Sequence, residues 1–153
     1  AVGGMICRKK VMRYLREQFG VSEDDLDLEF VEKENGKVYA KRTDCKRVEI
    51  KRHRHYDGLY FGKLCKDGLR LSIEGSFIVG RFAKKNVIEL DEEYATKWMS
   101  GENLNIEAEG YVILKWGPYF LGCGKGDGKS IKNYVPKDRR LSYGNRRVSE
   151  DDG

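Results

Sequence analysis

The fold is decided by residues 111–123, which read YVILKWGPYFLGC. Runs rich in β-branched and aromatic residues lie on both sides of Gly117-Pro118, and this pattern predicts two strands joined by a turn. Similar short runs precede them at 59–64, 69–73, 77–79 and 87–90, divided by turns that contain glycine. We therefore expect a small barrel or sandwich in the second half of the chain.

The first third of the chain combines a helix with a hairpin. Apolar residues recur at helical spacing over 8–19, and Gly20 follows where helices commonly end, so an amphipathic helix is predicted there. Asn35-Gly36 lies between the β-prone runs 28–31 and 38–41, and both residues tolerate positive φ, which predicts a β-hairpin. A further strand is predicted over 48–56.

One good helix is expected among the later strands. Asp91 is a suitable N-cap, because Glu92 and Glu93 follow it at the positive end of the helix dipole. The helix is predicted to end near Gly101, and Trp98 continues its apolar stripe as a core residue. The chain is therefore predicted to be α+β: a small N-terminal α/β unit followed by a β-rich module with one or two short helices.

The basic residues are concentrated in particular stretches of the sequence. The net charge is only +5, but residues 125–147 carry eight Lys and Arg against two Asp. Residues 41–54 form a second basic block, whereas the acidic residues are concentrated elsewhere. Segregation of this kind is typical of a protein that contacts phosphate on one face, although such segments are also common on ordinary solvated surfaces.

The glycine-rich run 122–130, GCGKGDGKS, resembles a phosphate-binding loop but does not match one. A P-loop that ends in Gly128-Lys129-Ser130 needs its first glycine at position 123, where the chain has Cys123. The dinucleotide-binding pattern also fails in every register. Gly122 and Gly124 are instead predicted to let the backbone approach an RNA chain closely, the alternative being a flexible hairpin tip.

Other chemical sites have little support in the sequence. The four cysteines include no C-x-x-C pair, and His53 and His55 have no metal-ligand spacing around them, so no metal site is expected. No catalytic motif nominates a nucleophile or a base, so neither an enzyme nor a cofactor is predicted. No apolar run approaches the roughly 20 residues of a membrane span, which predicts a cytoplasmic protein without membrane contact.

The C-terminal half resembles a known family. The segments LRLSIEGS at 69–76, GYVILK at 110–115, and Leu121-Gly122 with Gly124 before VPKDRRL at 135–141 are similar to a PUA-related domain. They resemble the region attached to RsmF-type and Sun-type RNA cytosine-5 methyltransferases, and stand-alone archaeal PUA proteins. The resemblance implies a β pseudo-barrel that binds structured RNA, either tRNA or rRNA. The sequence contains neither the glycine-rich cofactor loop nor the Pro-Cys cysteine that such methyltransferases use.

The resemblance also suggests a domain organisation. We predict a pre-PUA-like α/β domain at 1–66, a PUA-like RNA-binding domain at 67–144, and a mobile tail at 145–153. The predicted RNA contacts are Lys125, Lys129, Lys132, Lys137, Arg139 and Arg140, together with Arg47, Lys51, Arg52 and Arg54. Charge reversal at Arg139 and Arg140 is expected to weaken RNA binding with little change in melting temperature.

The sequence thus predicts a non-catalytic RNA-binding protein that acts in RNA modification or ribosome biogenesis. One alternative is a protein-interaction subunit that docks onto a separate RNA-modifying enzyme or a ribosomal protein. A second alternative is an RNA-modifying enzyme with an unrecognised site.

Overall fold

The computed structural model describes residues 5–43 and 58–141. Within them, the strands are β1 (Met5–Ile6), β2 (Leu28–Glu32), β3 (Lys37–Arg42), β4 (Leu59–Cys65), β5 (Gly68–Leu71), β6 (Val87–Glu89), β7 (Glu109–Trp116), β8 (Tyr119–Asp127) and β9 (Ile131–Lys132). The α-helices are α1 (Arg8–Phe19), α2 (Ile73–Gly80) and α3 (Glu92–Met99). The class is therefore α+β, as predicted, and the predicted strand at 48–56 lies outside the described residues.

The strands form two sheets. The first has the order β1-β2-β3-β4-β5 and is antiparallel throughout. The second has the order β6-β7-β8-β9, with β6 parallel to β7 and the other pairs antiparallel. The hairpin predicted at Asn35-Gly36 is confirmed: it joins β2 to β3, and these two residues have φ values of 62° and 79°.

Helix α1 packs on the first sheet as its apolar stripe predicts. Val11, Met12, Leu15 and Phe19 are fully buried, and Gly20 ends the helix in the left-handed conformation. The Gln18 amide also pairs with the backbone of Leu69 in the edge strand β5. Its Nε2 donates to the Leu69 carbonyl at 3.0 Å, and its Oε1 accepts from the Leu69 N–H at 2.8 Å. The helix is thus fixed to the sheet by apolar and polar contacts together.

Strand β7 is buried on both of its faces. Tyr111 and Ile113 face the core that α1 forms with the first sheet, whereas Val112 and Leu114 face a second core around Trp98. Successive side chains of a strand point to opposite faces, so one strand can contribute to two cores. The two sheets consequently share buried contacts, and the division of the chain into units at residue 66 stays a prediction.

The prediction of a strand at 77–79 was wrong, because these residues belong to helix α2. Ser72 caps the helix by accepting a hydrogen bond from the Gly75 N–H at 2.9 Å. Gly75 permits close packing, since a Cβ there would lie 2.1 Å from the Phe61 carbonyl oxygen. A short apolar run does not distinguish a strand from a buried helix, and the N-cap and the small residue decide in favour of the helix.

Helix α3 and the glycine run pack against each other. Asp91 caps α3 by accepting from the Tyr94 N–H at 2.8 Å, and Trp98 is fully buried, as predicted. The glycine run lies largely in strand β8, where a Cβ on Gly124 would come within 2.6 Å of both Trp98 and Ile131. Glycine at this position therefore lets the indole lie directly against the strand.

No helix of the described residues is long and apolar enough to cross a membrane. Helix α1 extends over only 12 residues and has a charged outer face, whereas a span needs about 20 apolar residues.

We predict that Gly124→Ala lowers the free energy of unfolding by about 1–3 kcal/mol, because the added methyl group overpacks the contact with Trp98 and Ile131. Urea unfolding measures this change. Gly117→Asn is the control, because no atom lies within 4 Å of a Cβ at Gly117 and asparagine tolerates its positive φ. Equal stability of Gly124→Ala and the original chain would contradict this packing.

Candidate nucleic-acid interface

The Lys125 side chain is ion-paired with a carboxylate rather than unpaired at the surface. Its Nζ forms an ion pair with Asp67, which also accepts a hydrogen bond from the Tyr111 hydroxyl at 2.8 Å. The bonds from Lys125 and Tyr111 lower the pKa of Asp67, and the bond to Asp67 raises the pKa of Lys125. Lys125 and Asp67 remain partly exposed, so screening by solvent weakens the pair.

Lys129 lies in the loop between β8 and β9, with its side chain exposed. The Asp127 carboxylate shapes this loop by accepting hydrogen bonds from the N–H groups of Lys129 and Ser130, each at 2.9 Å. These two bonds lower the pKa of Asp127. The loop leads into strand β9 rather than a helix, which differs from the arrangement of a phosphate-binding loop.

Lys132 and a second cation, Arg70, both lie against the ring of Tyr134. Lys132 lies opposite Lys125 in the β8–β9 register, and its Nζ is 5.3 Å from the centroid of the Tyr134 ring. The Arg70 guanidinium lies 4.1 Å from the centroid of the same ring. We call Arg70, Lys132 and Tyr134 the Tyr134 cluster. It joins the first sheet to the second, because Arg70 is on β5 and Lys132 is on β9.

The segment after β9 carries three further predicted contacts, and these differ in their surroundings. Lys137 is exposed. Arg139 pairs with Glu74 at the start of α2, with an Nη1–Oε2 distance of 3.0 Å. Arg140 donates from Nε to the Val135 carbonyl at 2.9 Å, and its side chain packs over Gly101. Arg140 therefore has a structural role that the sequence did not indicate, and these contacts argue against the expectation that its charge reversal leaves the melting temperature nearly unchanged.

Asn133 fixes the path of this segment. Its Nδ2 donates to the carbonyls of Trp98 and Glu102, at 2.8 and 2.9 Å, while its Oδ1 accepts from the Val135 N–H at 2.7 Å. The side chain is almost fully buried, at 8% exposure. The C-terminal cations are consequently carried on a segment that is held against the end of α3.

The other predicted site residues are either outside the described residues or buried. Arg47, Lys51, Arg52 and Arg54 lie outside the described residues. Gly122 and Gly124 are both buried. The close approach that the structure shows at Gly124 is internal, to Trp98, Ile131 and the Lys132 carbonyl. Gly122 differs in that it lines a small cavity beside the Tyr134 cluster.

Sequence reasoning missed Arg70 and Tyr134 as members of the interface. Arg70 is isolated between buried leucines on β5, so no cluster of charges marks it in the sequence. The sequence does carry one signal for Tyr134. In an extended segment, residues two apart lie on the same face, so Lys132 and Tyr134 are predicted to lie on one face and Asn133, which is buried, on the other. The contact with Arg70 depends on how the two sheets meet, which local patterns do not specify.

Among residues 5–43 and 58–141, no group of three or more His, Cys, Asp or Glu side chains has the arrangement of a metal site. Cys7, Cys65 and Cys123 are free thiols, whereas Cys45 and the two histidines lie outside the described residues. Burial raises the pKa of Cys123 to about 12 and that of Cys7 to about 11. Thiols with such high pKa values are poor nucleophiles at neutral pH.

Comparison with known proteins finds a domain family to which the region of the second sheet is similar. Residues 85–141 match the family model of the methyltransferase RsmF PUA domain. The chain is also 32% identical over 84 residues to the ribosomal RNA small subunit methyltransferase F of Aeromonas salmonicida and to that of Aeromonas hydrophila subsp. hydrophila. Each alignment covers 53% of this chain but only 18% of the relative. Residues 85–141 thus resemble the PUA domain of RsmF.

Arg140 and Lys137 should respond differently to truncation. We expect Arg140→Ala to lower the free energy of unfolding by about 1 kcal/mol, because the bond to Val135 and the packing over Gly101 are lost. The melting temperature should fall by about 2–4 °C. Lys137→Ala is the matched control and should leave the melting temperature nearly unchanged. Equal effects of the two substitutions would contradict a structural role for Arg140.

Proposed function

We propose that this PUA-domain chain is a non-catalytic protein that binds structured RNA, either rRNA or tRNA, in RNA modification or ribosome biogenesis. The observation that carries the proposal is the position of Lys129, Lys132 and Lys137, which are exposed and all lie within the region that matches the RsmF PUA domain. Exposed cations can replace the counterions of an RNA backbone, and this replacement supplies much of the affinity for nucleic acid.

The similarity to the Aeromonas proteins supports RNA as the partner. These relatives are named as ribosomal RNA methyltransferases, and the similarity concerns a small part of their length. The non-catalytic part of the proposal rests on the sequence, in which no catalytic motif nominates a nucleophile or a base. We therefore assign to this chain the recognition of RNA rather than its chemical modification.

The six predicted RNA contacts within the matched region divide into three groups by their surroundings. Lys129, Lys132 and Lys137 are exposed for contact with phosphate, whereas Arg139 already pairs with Glu74 and Arg140 supports its own segment. Lys125 must exchange Asp67 for a phosphate before it contributes a contact. The first group should therefore dominate the electrostatic part of the affinity.

Salt provides the first test of this proposal. If about six phosphates are neutralised, raising the salt concentration from roughly 50 to 200 mM should weaken binding to a tRNA transcript by about two to three orders of magnitude. The double substitution Lys129→Glu and Lys132→Glu should reduce the slope of log affinity against log salt by about 2. Fluorescence anisotropy at several salt concentrations measures both quantities.

The matched control reverses the same number of charges at Lys9 and Lys10, two exposed residues of α1 outside the matched region. For this variant, the slope of log affinity against log salt should remain close to that of the original chain. Binding that is insensitive to salt, or equal slopes for the two double variants, would count against the proposed surface. Capture of a protein that survives nuclease treatment, without binding of RNA, would support the interaction-subunit alternative instead.

A further inference from the structure

A small cavity lies where the two sheets meet, beside the Tyr134 cluster. It has a volume of about 210 Å³ and is lined by residues from four parts of the chain: β4, β5 with the start of α2, β8, and the segment after β9. Pockets for drug-sized ligands usually have volumes of about 300–1,000 Å³, so this cavity suits a single small ring system better than a larger cofactor.

One side of the cavity is formed by flat groups. The ring of Tyr134 lines it together with the Arg70 guanidinium, which lies 4.1 Å from the ring centroid. Tyr60 also lines the cavity and contacts Tyr39 through a tilted pair of rings with centroids 5.5 Å apart. Aromatic rings and guanidinium planes are the groups on which proteins stack unpaired RNA bases.

A buried donor without a partner lies behind Gly122, one of the residues that line the cavity. The indole Nε1 of Trp98 is the buried side-chain atom that lacks a hydrogen-bond partner among the residues described. A Cβ at Gly122 would lie 3.4 Å from this nitrogen and 3.7 Å from Ile73, and Gly122 and Ile73 both line the cavity. Trp98 itself is fully buried and does not line the cavity, so this nitrogen belongs to the packing behind Gly122 and is not a contact for a ligand.

The rim of the cavity is charged and polar. Glu74 and Arg139 form an ion pair there, and the two side chains are 41% and 43% exposed. Arg70 adds a second cation at the cavity, and Lys132 lies nearby, with its Nζ 5.3 Å from the centroid of the Tyr134 ring. Cations therefore exceed carboxylates around the opening, which favours a ligand that carries negative charge next to its ring.

We propose that this cavity accepts one unstacked base of a single-stranded RNA segment, with the adjoining phosphates near Arg139 and Lys132. The inference rests on the proposed function and adds a mode of recognition to it. Structured RNA presents its readable bases in loops, bulges and ends, where they can leave the stack. A base combines a flat face for Tyr134 and Arg70 with polar edges for the rim, and its phosphates supply the negative charge.

The test compares two ligands of equal charge: an oligouridine of about ten nucleotides and a ribose-phosphate oligomer of the same length without bases. The full chain should bind the oligouridine about 5- to 150-fold more tightly, which corresponds to stacking of one base. Tyr134→Ala should reduce this ratio towards one while leaving the affinity for the base-free oligomer nearly unchanged. Titration by fluorescence anisotropy measures both affinities.

Two further variants distinguish loss of base stacking from loss of the folded structure. Arg70→Lys preserves the charge but removes the planar guanidinium, so it should also lower the ratio. Tyr119→Ala is the matched control, because Tyr119 is a 57% exposed tyrosine that does not line the cavity, and it should keep the ratio. The melting temperature of each variant verifies that it is folded.

The outcomes separate this proposal from the proposed function. If the Lys129 and Lys132 reversals weaken binding but Tyr134→Ala and Arg70→Lys leave the ratio intact, the base cavity is wrong and the RNA-binding surface stands. If Tyr134→Ala lowers the affinity for both oligomers equally, the tyrosine acts only by supporting the fold or by positioning the neighbouring cations. The base cavity is then again wrong. If the full chain binds neither these oligomers nor a tRNA transcript, both proposals fail.

Discussion

Burial of strand β7 on both faces is the constraint on which the described structure depends. Ile113 contributes to the core beneath α1, and its neighbours Val112 and Leu114 contribute to the core around Trp98. If the backbone of β7 shifted towards one core, its side chains would lose packing contacts in the other core. A change of packing in one core is therefore transmitted to the other. The sheets therefore keep a fixed relation at β7, which also fixes the backbones that carry Arg70 and Lys132 relative to each other.

The interface depends on this relation between the sheets. Arg70 is carried by the first sheet, whereas Lys132 and the segment with Tyr134 follow the second sheet. The contact between Arg70 and Tyr134 forms only when both sheets are in place, whereas Lys132 reaches Tyr134 within the second sheet and the segment after it. Recognition of RNA at the Tyr134 cluster would consequently be a property of the folded chain as a whole, and the matched PUA region alone would lack Arg70 and Tyr60.

Local patterns in the sequence predicted most of the strands and two of the three described helices. Helix α1, the Asn35-Gly36 hairpin and the cap of α3 at Asp91 depend on interactions within a few residues, so their signals are visible in the sequence. Helix α2 was missed because its apolar residues are also typical of strands, and the deciding contact, between Gly75 and Phe61, joins distant parts of the chain. The glycine run predicts a close approach of the backbone to RNA, whereas the approach that the structure shows at Gly124 is to Trp98, which is remote in sequence.

The pairing of Gln18 with Leu69 covers part of the edge of the first sheet. Strand β5 is the edge of its sheet, and an edge with unpaired backbone groups is a template on which another chain can add a strand. The Gln18 amide presents one donor and one acceptor to Leu69, as a neighbouring strand would, and so occupies that position. A single side chain on α1 thus satisfies both backbone groups of Leu69, so an added strand would find neither a free donor nor a free acceptor at this point of the four-residue edge.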